Sequence, residues 1–368
     1  MSVQLEALSI AVQAGVPALL WGEPGSGKTS ALRALARALN RHMEEVIAAL
    51  REPSDFGGLP YLVPGNGVKL EPPAWALRVL AAKLAIIFFD ELSCAPPAVQ
   101  AALLRVVFDL VVGELVLDPK RVSIVAAANP PEQAAGGWDL APPLANRFWH
   151  LDWQPDTSDW CTGMVAGWPE PVIAQLPKSW ESHIPAAAAL VASYISANRG
   201  ALTEPNLSVV GGHAYRSRRS WGTTVVRLYA AAKSVGASED VIALLCGGSV
   251  GHGAANEFLT WVDQADLPNP EDLIASPKNF KCPVRDDVAY AVLTSVASAV
   301  ISNPTIKRVE AGWTIFEQAA KQDRADVAAV AVFTLAQNKD TKRITPSALA
   351  AFAPILRSSG LVKTASVA

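Results

Sequence analysis

Apolar residues in the first 150 positions fall into short, uninterrupted runs set between longer stretches of helical spacing. Residues 16–21, 45–50, 84–89 and 122–127 are such runs, too short for independent helices and bounded by charge, proline or asparagine. That is how strands read when both faces of a sheet are covered. Residues 3–13 and 29–39 instead repeat their apolar positions at helical intervals. Alternation of the two patterns predicts a parallel sheet with helices on both faces. Two interruptions read as β-hairpins: residues 59–70, turning at Pro64-Gly65-Asn66-Gly67, and residues 110–117, turning at Gly113-Glu114. Past residue 150 the strand signals fade. Residues 153–171 are polar and rich in Trp, Gly and Pro, as a linker is, and 184–197, 223–234, 256–264, 286–301 and 325–337 carry helical periodicity.

Composition adjusts this picture little. With 368 residues, 51% hydrophobic and 18% charged, the chain has material for two or three folded domains. A net charge of -3 gives no global attraction to nucleic acid or to an anionic membrane. No run reaches the roughly 18 apolar residues of a membrane span, and no leader pattern opens the sequence, so the expected location is cytoplasmic. Cys94, Cys161, Cys246 and Cys282 are scattered, which predicts reduced thiols, and the five histidines lack zinc-site spacing.

The chemistry concentrates in Gly22-Glu23-Pro24-Gly25-Ser26-Gly27-Lys28-Thr29, which follows an apolar run and opens a helical one. This is the G-x-x-x-x-G-K-T phosphate loop. Gly25 and Gly27 let backbone N–H groups turn inward around an anion, and the following helix aims its positive end at the same point. Lys28 supplies a point charge to the β and γ phosphates of ATP, and the Thr29 hydroxyl is a Mg²⁺ ligand. Ser30, the next helical residue, closes the nucleotide-binding set.

The run 84–89 delivers Asp90 and Glu91, the first suited to Mg²⁺ and the second to polarising the attacking water. Asn129 ends the run 122–128 and can orient that water. Arg147, in Leu-Ala-Asn-Arg-Phe, is placed to reach a neighbouring subunit's phosphates; the alternative is a surface ion pair. Arg216, Arg218 and Arg219 open a later helical segment, and Arg219 is preferred over Arg218 as the arginine that senses the γ-phosphate.

In the order of these residues the chain resembles the AAA+ ATPases, and within them the MoxR family. Gly22–Thr29, Asp90-Glu91, Asn129, Arg147 and Arg219 then correspond to Walker A, Walker B, sensor 1, arginine finger and sensor 2. The hairpin at 59–70 looks like the helix-2 insert and that at 110–117 like the pre-sensor-1 insert. Asp-Glu-Leu at 90–92, Ala-Pro-Pro-Ala-Val-Gln at 95–100, Ala-Asn-Pro at 128–130 and Asn-Arg-Phe at 146–148 fit the same family. Ser93 and Cys94 depart from it, standing where Asn-Arg is common. Ala128 replaces a usual Gln, and Arg218 replaces a proline.

The resemblance implies an α/β core over 1–152, a linker and helical segment over 153–205, an all-α lid over 206–265 and a helical extension over 266–368. It further implies ATP hydrolysis with Mg²⁺, a homo-hexameric ring with active sites between subunits, and chaperone-like remodelling with a von Willebrand factor A domain protein as partner. Sensor 2 is open to acting within its own subunit or across the interface. A nucleic-acid-acting motor, disfavoured by the charge balance, and a nucleotide-gated scaffold are the alternatives.

Overall fold

The computed structural model describes residues 2–65, 67–130, 137–206, 212–339, 341 and 345–358. They divide into two compact units, 1–178 with 203–256, and 179–202 with 257–368.

The first unit begins with α1 (Val3–Gln13), whose Ser2 side chain accepts the Leu5 N–H as N-cap. It continues through β1 (Ala18–Trp21), α2 (Lys28–Ala38), β2 (His42–Ile47), the one-turn α3 (Ser54–Gly57), β3 (Leu59–Val63), β4 (Gly67–Glu71), α4 (Ala74–Ala81) and β5 (Ala85–Asp90). Then come α5 (Pro97–Asp109), β6 (Val111–Val112), β7 (Leu115–Val116), β8 (Val122–Ala128), the one-turn α6 (Pro142–Ala145), β9 (Trp149–Asp152) and α7 (Thr157–Ala166). The second unit contributes α8 (Ile184–Ala197), after which a π-helical turn, Ser220–Val225, leads the first unit into α9 (Val226–Ser234) and α10 (Glu239–Val250). Helix α11 (His252–Ala265) runs from the first unit into the second, which ends with α12 (Pro270–Ala275), α13 (Asp286–Ser302), α14 (Ile306–Lys321), α15 (Ala325–Gln337) and α16 (Pro346–Ser358).

Five strands form one parallel sheet in the order β2-β5-β8-β1-β9. The register sets Trp21 beside Ala128 and Asp152, and Phe89 beside Ala126, so the carboxyl ends of β1, β5 and β8 reach the same edge. Both faces of β1, β5 and β8 are covered, which is why these strands read as continuous apolar runs; β2 lies three residues ahead of the run 45–50 and alternates in exposure. Ile87 and Phe89 point into a cluster with Phe56 and Trp75, in which Phe56 and Trp75 present edges to Phe89 at 5.9 and 6.3 Å between centroids. Each such ring taken from water contributes about 2–3 kcal/mol. The two hairpins form as expected, β3 with β4 and β6 with β7; Asn66 of the first turn lies outside the described residues.

Two elements run against the sequence reading. The fifth strand, β9, is four residues long and carries His150 and Asp152, too few and too polar to register as an apolar run. Helix α7 lies in the segment read as a linker; Asp156 caps it by accepting the Ser158 and Asp159 N–H groups, and Trp168 folds back over Gly163.

Helix α10 packs closely on β9. A Cβ added at Gly248 would sit 2.0 Å from the His150 carbonyl oxygen and 2.5 Å from Trp149 Nε1. Gly248→Ala is therefore expected to destabilise the first unit by about 1–3 kcal/mol or more through overpacking. The measurement is urea unfolding, with a lower midpoint at unchanged slope; an unaltered midpoint contradicts this contact.

Among its described residues the second unit has helices and no strand. Trp313, Phe316, Leu293, Val332 and Phe352 form its buried centre, with Trp313 and Phe316 edge to face at 5.9 Å. Asp286 and Asp287 start α13, where the helix dipole favours negative charge, and Asp287 accepts the indole N–H of Trp261 at 2.9 Å. Helix α8 packs here against α13, so residues 153–205 are divided between the two units. Among the described residues no helix is long and apolar enough to cross a membrane.

Candidate active site

The phosphate loop connects β1 to α2, and Gly25 and Gly27 hold φ of +79° and +84°. A Cβ at either would meet nothing within 4 Å, so backbone conformation and not crowding demands glycine there. Gly22 is different: a Cβ would come within 2.8 Å of the Trp153 carbonyl oxygen. Trp153 also donates its backbone N–H to Trp21 O and its indole N–H to Ser26 O at 3.2 Å, fastening the loop to the end of β9. The sequence reading missed this clamp because Trp153 opens the segment read as a linker.

Lys28 is 8% exposed, and its ammonium donates to Gly22 O at 2.7 Å, Glu23 O at 3.0 Å and Asn129 Oδ1 at 3.3 Å. Burial lowers its pKa from the ordinary lysine value, partly countered by the charge of Asp90. The Thr29 hydroxyl donates to Asp90 Oδ2 at 3.3 Å, and the Glu91 N–H donates to Asp90 Oδ1 at 2.9 Å. Strand order explains the grouping: β8 lies between β1 and β5, so Asn129 stands between the lysine and the acids.

Glu91 is exposed and holds φ 54°, ψ 40°, a left-handed conformation unusual for a residue with a side chain. Such a conformation costs about 1–2 kcal/mol. Directly after it, buried Ser93 accepts the Asn129 N–H at 3.2 Å and offers its carbonyl to the Trp138 N–H at 2.7 Å. The serine that departs from the family pattern thus anchors the backbone of Asn129.

Arg147 and Arg219 lie elsewhere. Their guanidinium carbons stand 5.0 and 4.5 Å from the centre of the Phe108 ring at the end of α5. The Arg147 guanidinium donates to Pro143 O, and its Nε is buried without a hydrogen-bond partner among the described residues. Asn146 Oδ1 accepts from Ser217 Oγ at 2.9 Å and Pro142 O from the Tyr215 hydroxyl at 3.2 Å, which ties the Arg147 turn to the segment before Arg219. Arg216 is committed to an ion pair with Glu204 at 3.1 Å, and Arg218 is exposed. The structure thus brings Lys28, Thr29, Asp90 and Asn129 into one hydrogen-bonded group, with Glu91 beside it, and sets the two arginines apart as a pair.

Beneath the loop, the Trp21 indole N–H donates to His150 Nδ1 at 2.9 Å. Since an indole only donates, His150 carries its proton on Nε2, which donates to Ala145 O at 2.9 Å. Burial chiefly holds its pKa at about 4. An unfolded chain takes up that proton first, near the ordinary 6.5, so the stabilising effect is complete above pH 6.5 and lost as pH falls towards 4. The loss is on the order of 3 kcal/mol. The stability difference between the protein and His150→Gln should shrink over that window; a pH-independent difference would mean the imidazole is not held neutral.

The site's chemistry can be tested against a nucleotide. Ser26 Oγ is buried inside the loop without a hydrogen-bond partner among the described residues, beside a buried ammonium and two glycines of positive φ. These are features that phosphate oxygens satisfy. Thr29 and Asp90 offer two oxygens to a divalent cation, a set suited to Mg²⁺, which keeps waters and phosphate oxygens as its other ligands.

Comparison with known proteins agrees with the architecture. Residues 17–148 match the family model described as AAA domain (dynein-related subfamily), so the first unit carries an AAA domain. Over 100 residues the chain is 37% identical to Protein MoxR of Methylorubrum extorquens strain AM1. That match covers 27% of this chain, and the chain spans about 29% of the length of this curated relative. A crystal structure of a candidate ATPase from Cytophaga hutchinsonii aligns over 67% of this chain and 80% of its own, at 20% identity and a TM-score of 0.42.

Proposed function

We propose that the chain is a Mg²⁺-dependent ATPase whose active sites are completed between copies of itself in a homo-hexameric ring, and that it remodels a protein partner. The observation that carries the ATPase reading is the Lys28–Thr29–Asp90–Asn129 cluster at one sheet edge, under a loop with an unsatisfied Ser26 hydroxyl. In this reading the N–H groups of residues 23–29 and the Lys28 ammonium hold the phosphates, with Ser30 in the first turn of α2. Thr29 and Asp90 hold Mg²⁺, which neutralises developing charge on the phosphates when bound. Glu91 accepts a proton from the attacking water, Asn129 orients that water, and Arg147 and Arg219 face the nucleotide of the neighbouring copy.

The remodelling half of the proposal is supported by the β3–β4 hairpin, which exposes Leu59, Leu62 and Val68. Apolar side chains left in water on a projecting hairpin suit contact with a polypeptide. A von Willebrand factor A domain protein is the proposed partner, by family resemblance.

Lys28→Ala tests the nucleotide site. Loss of a buried charge-assisted set of contacts should weaken ATP binding roughly 10- to 100-fold, read by calorimetric titration. Unchanged affinity would remove the basis of the proposal. Imaging with a slowly hydrolysed ATP analogue tests the ring, and particles that stay monomeric would refute it.

A further inference from the structure

Phe108 is 56% exposed at the last turn of α5, yet its ring carries two guanidinium groups from distant parts of the chain. Arg147 arrives from the turn after α6, and Arg219 from the residue preceding the π-helical turn Ser220–Val225. Bringing two like charges together is unfavourable: the pKa of Arg147 is lowered by burial and then by the charge of Arg219, with Asp109 countering only in part. Among the described residues neither arginine has a carboxylate in an ion pair. What the two do share is the π system of one aromatic ring, which attracts cations without neutralising them. A carboxylate at position 108 would quench both charges, and an aliphatic side chain would leave them to repel.

We infer that Phe108 is a positioning residue, holding Arg147 and Arg219 together as one divalent cationic unit that is presented, unneutralised, to the phosphates of a neighbouring copy. This rests on the reading of Arg147 as acting between copies. It also accounts for the linkage of the two arginine-bearing segments through Ser217–Asn146 and Tyr215–Pro142, since a pair acting on one anion must move as one body. The Arg147 guanidinium donates to Pro143 O, and the Phe108 ring is a second contact that holds it.

The test compares Phe108→Leu, which keeps apolar bulk and removes the π face, with Phe108→Trp, which keeps that face. Steady-state ATP turnover is measured with Arg147→Ala as reference and thermal unfolding as a check on folding. Phe108→Leu should lower kcat roughly 10- to 100-fold through misplacement of the pair, leaving KM for ATP and the unfolding temperature nearly unchanged. Phe108→Trp should restore most of the rate, and Phe108→Leu should add little to Arg147→Ala. Normal turnover in Phe108→Leu beside an inactive Arg147→Ala overturns this inference alone, as does equal loss in the Leu and Trp variants. Full activity in Arg147→Ala overturns the reading on which it rests.

Discussion

Glu91→Gln is expected to retain ATP while lowering its turnover by roughly two to four orders of magnitude, the range typical of a lost general base. Glutamine keeps the length and the carbonyl oxygen of the side chain but cannot accept the proton. The backbone gives a second reason to single out this position. Glu91 holds a left-handed conformation at the end of β5, where the Asp90 carboxylate accepts its N–H at 2.9 Å. Continuing the strand without that turn would send the residue onward in the extended direction; the turn holds the carboxylate at the sheet edge, next to the Asp90 that faces Thr29. Because Glu91 is exposed and Gln adopts the same backbone, the variant should unfold at the temperature of the unchanged protein. Single-turnover hydrolysis together with nucleotide affinity separates the two effects. Rapid turnover in Glu91→Gln would assign the base to another group, and loss of affinity would make Glu91 a binding residue instead.

The group around Lys28 was legible in the sequence because each member is tied to a local signal. A glycine-rich loop between an apolar run and a helix fixes Lys28 and Thr29, and strand ends fix Asp90 and Asn129. Once the strands are parallel, their carboxyl ends must meet at one edge, so linear order becomes proximity. The buried parallel strands were legible for the same reason, since two covered faces leave no polar alternation. Residues whose importance comes from packing between remote segments left no such trace. Trp153 clamps the loop through its backbone and indole groups, a role visible only when β9 lies beside β1. Ser93 anchors Asn129 across 36 positions of sequence. Phe108 is one apolar residue among many on α5 until two arginines are seen over its ring. The surroundings of Arg216, Arg218 and Arg219 likewise needed coordinates: Glu204 pairs with the first, the second is exposed, and the third shares the Phe108 ring with Arg147.

Arg147→Ala should lower turnover by roughly three to five orders of magnitude if its charge meets the transferring phosphoryl group, as an arginine finger does. On the proposal that active sites are shared between copies, the expected effect is intermolecular. Arg147 lies over Phe108 and contacts Pro143, whereas Lys28 is bonded to the loop carbonyls and Asn129. Complementation separates the two possibilities. Glu91→Gln chains retain the arginine, and Arg147→Ala chains retain the base, so each homogeneous assembly should be inactive. When the two are mixed, an interface that pairs the intact Glu91 of one chain with the intact Arg147 of its neighbour is complete again. Random mixing in equal amounts makes roughly a quarter of the interfaces of a closed ring complete. Activity should therefore appear on mixing and grow with exchange time, up to that fraction of the unchanged protein's rate. A mixture as inactive as its components, with subunit exchange shown independently, would place the arginine's action within its own chain and leave the paired guanidiniums without an intermolecular role.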